Sequence, residues 1–136
     1  MTAAVFAMAG GSVVVAPLSA APDRLSVSAY YECYGTTGSC IAAANMTTDT
    51  VTIAATGGSG AGPTYSWAKL AGDTFTITAS TSAATAFSAS VNRNSSKSAT
   101  YRCTVTRGAA TYDVDVPVYA QYIYASDTDP PIGPEP

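Results

Sequence analysis

The chain contains no histidine, and only 11% of its 136 residues are charged. Without His, the commonest general base near neutral pH and the commonest zinc ligand are both missing. Three cysteines cannot complete an all-thiolate zinc site, which takes four. Basic residues are few, six against nine acidic, and the net charge of −3 offers no attraction to a phosphate backbone. No calcium loop, phosphate loop or nucleophile with an adjacent base can be drawn. The composition therefore points away from hydrolases, zinc fingers and nucleic-acid binders, and the expectation is a protein with no catalytic residues, no cofactor and no metal.

What is present is small and β-forming. Ala, Thr and Ser number 26, 19 and 15, and the larger apolar side chains are nine Tyr, three Phe and one Trp besides the branched aliphatics. A length of 136 residues suits one domain with tails, and this composition suits a small all-β core.

Three regions separate. Residues 1–22 form an apolar stretch rich in Ala, Gly and Val, expected to be an extended N-terminal arm. A secretory signal or membrane anchor is the alternative reading. It lacks a basic start, since Arg24 is the first basic residue, and Gly10-Gly11-Ser12 with Pro17 would interrupt an inserted helix. Residues 125–136 carry four of the eight prolines and three acidic residues, Asp127, Asp129 and Glu135, and are expected to form an extended tail.

Between them, residues 23–124 show apolar side chains at every second position, the mark of strands with one buried face. Seven such runs are centred on Val27, Ile53, Trp67, Phe75–Ile77, Ala89, Cys103 and Val114–Val116. The first run begins at Leu25 and the last includes Tyr112. Gly57-Gly58-Ser59-Gly60-Ala61-Gly62-Pro63 reads as a flexible link, Ala71-Gly72-Asp73 as a tight turn, and Arg107-Gly108 as a hairpin tip. The expected fold is an immunoglobulin-like β-sandwich of about seven strands.

The core signature is Trp67, placed 14 residues after Ile53 and 36 before Cys103, with Tyr101 two residues before that cysteine. In immunoglobulin-like sandwiches a Trp packs against the two central strands, and a Tyr two before the second Cys turns its hydroxyl onto backbone. Ile53 lies in the strand where the first Cys would stand, so Cys103 is expected to be a buried thiol. Together with Gly57-Gly58-Ser59-Gly60, Tyr65-Ser66-Trp67, Ala71-Gly72-Asp73 and Ser98-Ala99-Thr100-Tyr101-Arg102-Cys103-Thr104-Val105, these residues resemble the Ig-like (PKD-like) domains of tailed-bacteriophage virion proteins. The resemblance covers about residues 45–118; it departs from the polycystic-kidney-type consensus at Ala68-Lys69, where an acidic residue usually follows the Trp.

The resemblance implies a non-enzymatic structural protein that decorates a capsid, neck or tail. Its implied partners are other virion proteins, in several copies of a symmetric assembly, with weak glycan contacts and neither nucleic acid nor membrane. A host-surface or glycan-binding adhesion module and a secreted bacterial surface protein are the alternatives. The candidate partner-binding residues are Val5, Phe6, Val13, Val14 and Val15 in the arm, and Tyr119, Tyr122 and Tyr124 at the end of the last strand. For the arm, the expectation is that deleting residues 1–22 leaves a folded domain.

Cys33 and Cys40 bracket a Gly-bearing segment able to turn back on itself, and an oxidising virion exterior would favour a disulfide there; two unrelated thiols are the other reading. Asp113 and Asp115 are expected on a solvated strand face. Arg93, Lys97, Arg102 and Arg107 form a basic group that could meet an acidic neighbour or the tail acids, or be scattered surface charge. Asn45-Met46-Thr47 and Asn94-Ser95-Ser96 match the glycosylation sequon, which acts only in a secretory host.

Overall fold

The computed structural model describes residues 15–35 and 37–125. They form ten strands and one short 3-10 turn, Thr37–Ser39. The strands are β1 (Ser19–Pro22), β2 (Val27–Tyr34), β3 (Ala43–Thr47), β4 (Val51–Thr56), β5 (Thr64–Gly72), β6 (Thr76–Ile77), β7 (Ala84–Thr85), β8 (Phe87–Asn92), β9 (Ser95–Arg107) and β10 (Ala110–Ala125). They assemble into three sheets, ordered β1-β4-β7, β2-β10-β9-β5 and β3-β8-β6.

The expected count of seven strands is therefore corrected to ten. Each of the seven apolar runs carries a strand, and β1, β3 and β7 are additional. Two of the additions arise at one place. The ladder of β3 on β8 ends at Thr47 opposite Ser88, and that of β4 on β7 resumes at Val51 opposite Thr85, slipped by one residue. The buried Thr48 fills the join. Its N–H donates to the Phe87 carbonyl (2.8 Å), while its hydroxyl accepts from the Phe87 N–H (3.1 Å) and donates to the Asp49 carbonyl (2.9 Å). A side chain thus satisfies a main-chain donor that a continuous ladder would have used.

The third addition lies within the segment read as an arm. Ser19–Pro22 pairs antiparallel with β4, and Leu18 and Ala20 are buried in the core. The expectation that a chain lacking residues 1–22 folds is corrected accordingly, because that deletion would strip the edge of β4 and open the core. The apolar phase is corrected at two further positions. Leu25 is 83% exposed, since it sits in the link that carries the chain from one sheet to the next, and Tyr112 is 41% exposed near the hairpin tip.

The four-stranded sheet and the other two sheets pack face to face as a sandwich-like all-β fold. Trp67 on β5 meets Phe87 on β8 edge-on (5.7 Å between ring centroids), and Phe87 in turn stacks obliquely on Tyr101 of β9 (4.8 Å). Val51, Ile53, Val91, Cys103, Val105 and Val116 fill the remaining space and are buried. At about 25 cal/mol per Å² of apolar area, these aromatics dominate a core otherwise made of small residues. Trp67 sits opposite Cys103 in the β5–β9 register, and its indole N–H donates to the Ser82 carbonyl (2.9 Å).

Glycine is needed at two turns. A Cβ at Gly72 (φ 92°) would stand 2.6 Å from the Ser98 carbonyl oxygen, and one at Gly108 (φ 56°) would stand 2.5 Å from that of Ser59. Gly72 lets β5 close onto β9, where Asp73 exchanges hydrogen bonds with the Ser98 backbone: its N–H donates to the Ser98 carbonyl (2.8 Å) and its carboxylate accepts from the Ser98 N–H (2.9 Å).

Candidate functional site

The tyrosines sort by strand parity. On β10, Val114, Val116, Val118, Ala120 and Tyr122 point into the core, so Tyr119 and its odd-numbered neighbours point outward. β2 runs parallel to β10, pairing Ser28 with Tyr119 and Tyr31 with Tyr122. This register makes two aromatic pairs on opposite faces of the sheet. Tyr31 and Tyr122 meet inside at right angles (4.9 Å, 82°), and Tyr30 and Tyr119 meet outside (6.1 Å, 62°).

Tyr122 is consequently corrected from a partner-binding candidate to a core residue. It is fully buried, its hydroxyl donates to the Ile41 carbonyl (2.6 Å), and desolvation raises its pKa above the ordinary phenol value. Tyr124 is half-buried, with the Arg93 guanidinium 5.8 Å over its ring. Tyr119 keeps an outward, half-exposed position. Val15 is 53% exposed where the described chain begins; Val5, Phe6, Val13 and Val14 lie outside the described residues.

Two residues that the sequence reading did not select belong to this face. Tyr30 and Tyr34, on the outward phase of β2, are 57% and 60% exposed. The Tyr34 hydroxyl donates to the Glu32 carboxylate (3.1 Å); that bond first, then desolvation and the carboxylate's charge, raises the Tyr34 pKa. The signal was the alternation Ala29-Tyr30-Tyr31-Glu32-Cys33-Tyr34, which continues the first apolar run beyond Ala29. Beside Tyr119, a shallow groove of about 390 Å³ runs over Ala71, Gly72, Ser98, Thr100 and Pro117.

The disulfide joins Cys33 to Cys40 with 5.9 Å between Cα atoms, closing the connection from β2 to β3. Its neighbours fasten this end of the sheet: the Gly35 N–H donates to the Ala125 carbonyl (2.9 Å) and Arg93 to the Cys40 carbonyl (3.3 Å). Cys103 is a buried free thiol, and burial pushes its pKa up to about 11.

The basic group is largely spent within the chain. Arg102 grips Asp115 with two hydrogen bonds (2.8 and 3.2 Å) and lies 3.7 Å from Asp113, whose other oxygen accepts from Thr104 (2.9 Å). The hydrogen bond from Arg102 holds the Asp115 carboxyl below its usual pKa. Arg107 donates to the carbonyls of Gly57 (3.3 Å) and Gly62 (3.0 Å), pinning the glycine-rich link to the hairpin. The acids Asp127, Asp129 and Glu135 lie outside the described residues. Of the sequon asparagines, Asn45 is exposed on β3, while Asn94 occupies a left-handed turn position (φ 54°) and accepts a hydrogen bond from the Tyr124 N–H (3.1 Å).

Compared with protein-family models, curated proteins and solved structures, the chain matches none.

Proposed function

We propose that this chain is a non-enzymatic virion structural protein of a tailed bacteriophage, an Ig-like accessory or decoration domain on capsid, neck or tail, held to neighbouring subunits by its terminal segments. The observation that carries this reading is the core constellation. Trp67, Tyr101, Cys103 and Ile53 are all buried together, with Trp67 opposite Cys103 and the Tyr101 hydroxyl on the Phe75 backbone. The slip at Thr48 lets the two three-stranded sheets act as one bent layer over the four-stranded sheet, the two-layer arrangement an immunoglobulin-like fold requires. The Cys33–Cys40 disulfide suits an oxidising exterior. Val15, where the described residues begin, is 53% exposed. Mass spectrometry of purified particles from a phage encoding this chain tests the proposal: it requires the chain in a fixed, multiple copy number per particle, and its absence from particles would refute it.

A second reading, adhesion to host glycans, draws on the mostly apolar groove beside Tyr119, where Ser98 and Thr100 contribute the polar side chains. Retention on a glycan array that is lost in Tyr119→Ala would favour it.

A further inference from the structure

The open edges of the sheets are not equally protected. Natural sheets guard their edges with charge, proline, bulges or brevity. β1 is four residues long and ends in Pro22, β6 is two residues long, and β3 is five. β5 carries Lys69 and a bulge between Lys69 and Ala71, and its Trp67 N–H is taken by the Ser80 carbonyl (2.8 Å). The part of β10 that precedes its pairing with β2 bears Asp113, Asp115 and Pro117. β2 has none of these devices beyond Glu32: it is eight residues, Val-Ser-Ala-Tyr-Tyr-Glu-Cys-Tyr, without Pro, Lys or a bulge.

The phase of that edge is fixed by the bond from the Gly35 N–H to Ala125. Odd-numbered residues of β2 aim their backbone groups at β10; Ser28, Tyr30, Glu32 and Tyr34 aim theirs at the open side, where β2 has no partner strand among the described residues. The same four residues present their side chains outward, so the edge is flanked by Tyr30 and Tyr34.

We propose that this edge is the seat for residues 1–14 of a second copy of the chain, laid along β2 as an added strand. The inference rests on reading that segment as a binding arm, and names its partner and its place. Charge favours the arm as occupant, because the chain as a whole is at −3 and residues 1–14 contain no ionisable side chain. Length allows it: an eight-residue edge spans about 27 Å, and 14 extended residues reach about 46–50 Å. Patterning also fits. Ala3, Val5, Ala7 and Ala9 make one small face, and Phe6 and Met8 share the other, which would lie beside Tyr30, on the side of that ring away from Tyr119, when it continues the outer surface. The described residues begin at Val15, and the Ala16 carbonyl just after it is fastened by the Gly58 N–H (2.8 Å). Main-chain hydrogen bonds supply the affinity and the tyrosines the selectivity.

Sedimentation velocity of the full chain over a wide concentration range, with residue-resolved amide exchange, tests this. The expected result is concentration-dependent association that slows exchange at Ser28, Tyr30 and Glu32 relative to dilute chain. Tyr30→Lys and deletion of residues 1–14 should each raise the apparent Kd about tenfold or more while leaving the melting temperature unchanged. Three results would overturn the inference: a monomer at every concentration, association that persists without residues 1–14, or association indifferent to Tyr30→Lys. The second would mean that β2 pairs with another edge. A chain that is monomeric alone but needs residues 1–14 to enter particles refutes this seat and leaves the arm reading intact; a chain that enters particles without them refutes the arm reading itself.

Discussion

The Tyr101 hydroxyl engages both backbone groups of Phe75, donating to its carbonyl (2.9 Å) and accepting from its N–H (2.7 Å), in a fully buried site. One side chain of β9 thereby anchors the start of the short strand β6, which has only two residues of ladder of its own. Tyr101→Phe keeps the ring and strands both groups. Unfolding in urea should show a loss of about 1–3 kcal/mol, the cost of burying unpaired polar groups, whereas a variant as stable as the parent would mean that Phe75 finds other partners.

Trp67→Ala removes the largest ring of the core, its edge contact with Phe87 and its bond to Ser82. The expected cost is roughly 3–5 kcal/mol, read from the same urea curves. Trp67→Phe should recover most of the packing and leave the Ser82 carbonyl without its donor.

Reducing the Cys33–Cys40 bond releases a connection of seven residues' separation. For so short a loop the chain-entropy model gives about 2–3 kcal/mol. The melting temperature should fall in dithiothreitol, and the Cys33→Ser/Cys40→Ser double variant should melt at the reduced value with or without reductant.

Cys103 gives stability a pH dependence of known sign. Its thiol titrates near 9.0 when free and at about 11 in the fold. The folded state thus holds the proton more tightly; the stabilisation is complete below pH 9 and is lost as pH rises from 9 to 11. The fall in stability over that window should be smaller in Cys103→Ala than in the parent. Asp115 has the opposite sense. Its carboxyl pKa is lowered from 3.8 by Arg102, so its contribution is present above that value and is lost on acidification through the folded pKa. In Arg102→Ala, an NMR titration should find the Asp115 pKa raised towards 3.8.

Much of this was legible in the chain because two-residue periodicity reports directly on a half-buried strand. Val51–Ile53, Tyr101–Cys103–Val105 and Val114–Val116–Val118 announce their buried faces, and Trp67 and the buried Cys103 follow from the same phase. What periodicity could not supply was partnership. Thr48 looks like an outward strand residue until its hydroxyl is seen to replace a main-chain acceptor. Ser-Ala-Ala-Pro is too short and bland to declare that it pairs with β4. Tyr119 and Tyr122 differ by three positions, an odd step that sends one outward and the other into the core. That β2 has a partner strand on one side only, among the described residues, was hidden for the same reason: it depends on which strand lies beside it, a long-range fact that no local pattern carries.

The proposed virion role gives attachment to the residues preceding Val15. The most direct test is to compare particles assembled with the parent chain and with a chain lacking residues 1–14, quantifying the copies bound and the melting temperature of each free protein. The proposed role requires unchanged melting and loss of the shortened chain from particles. Incorporation of the shortened chain at the parent's copy number would contradict it.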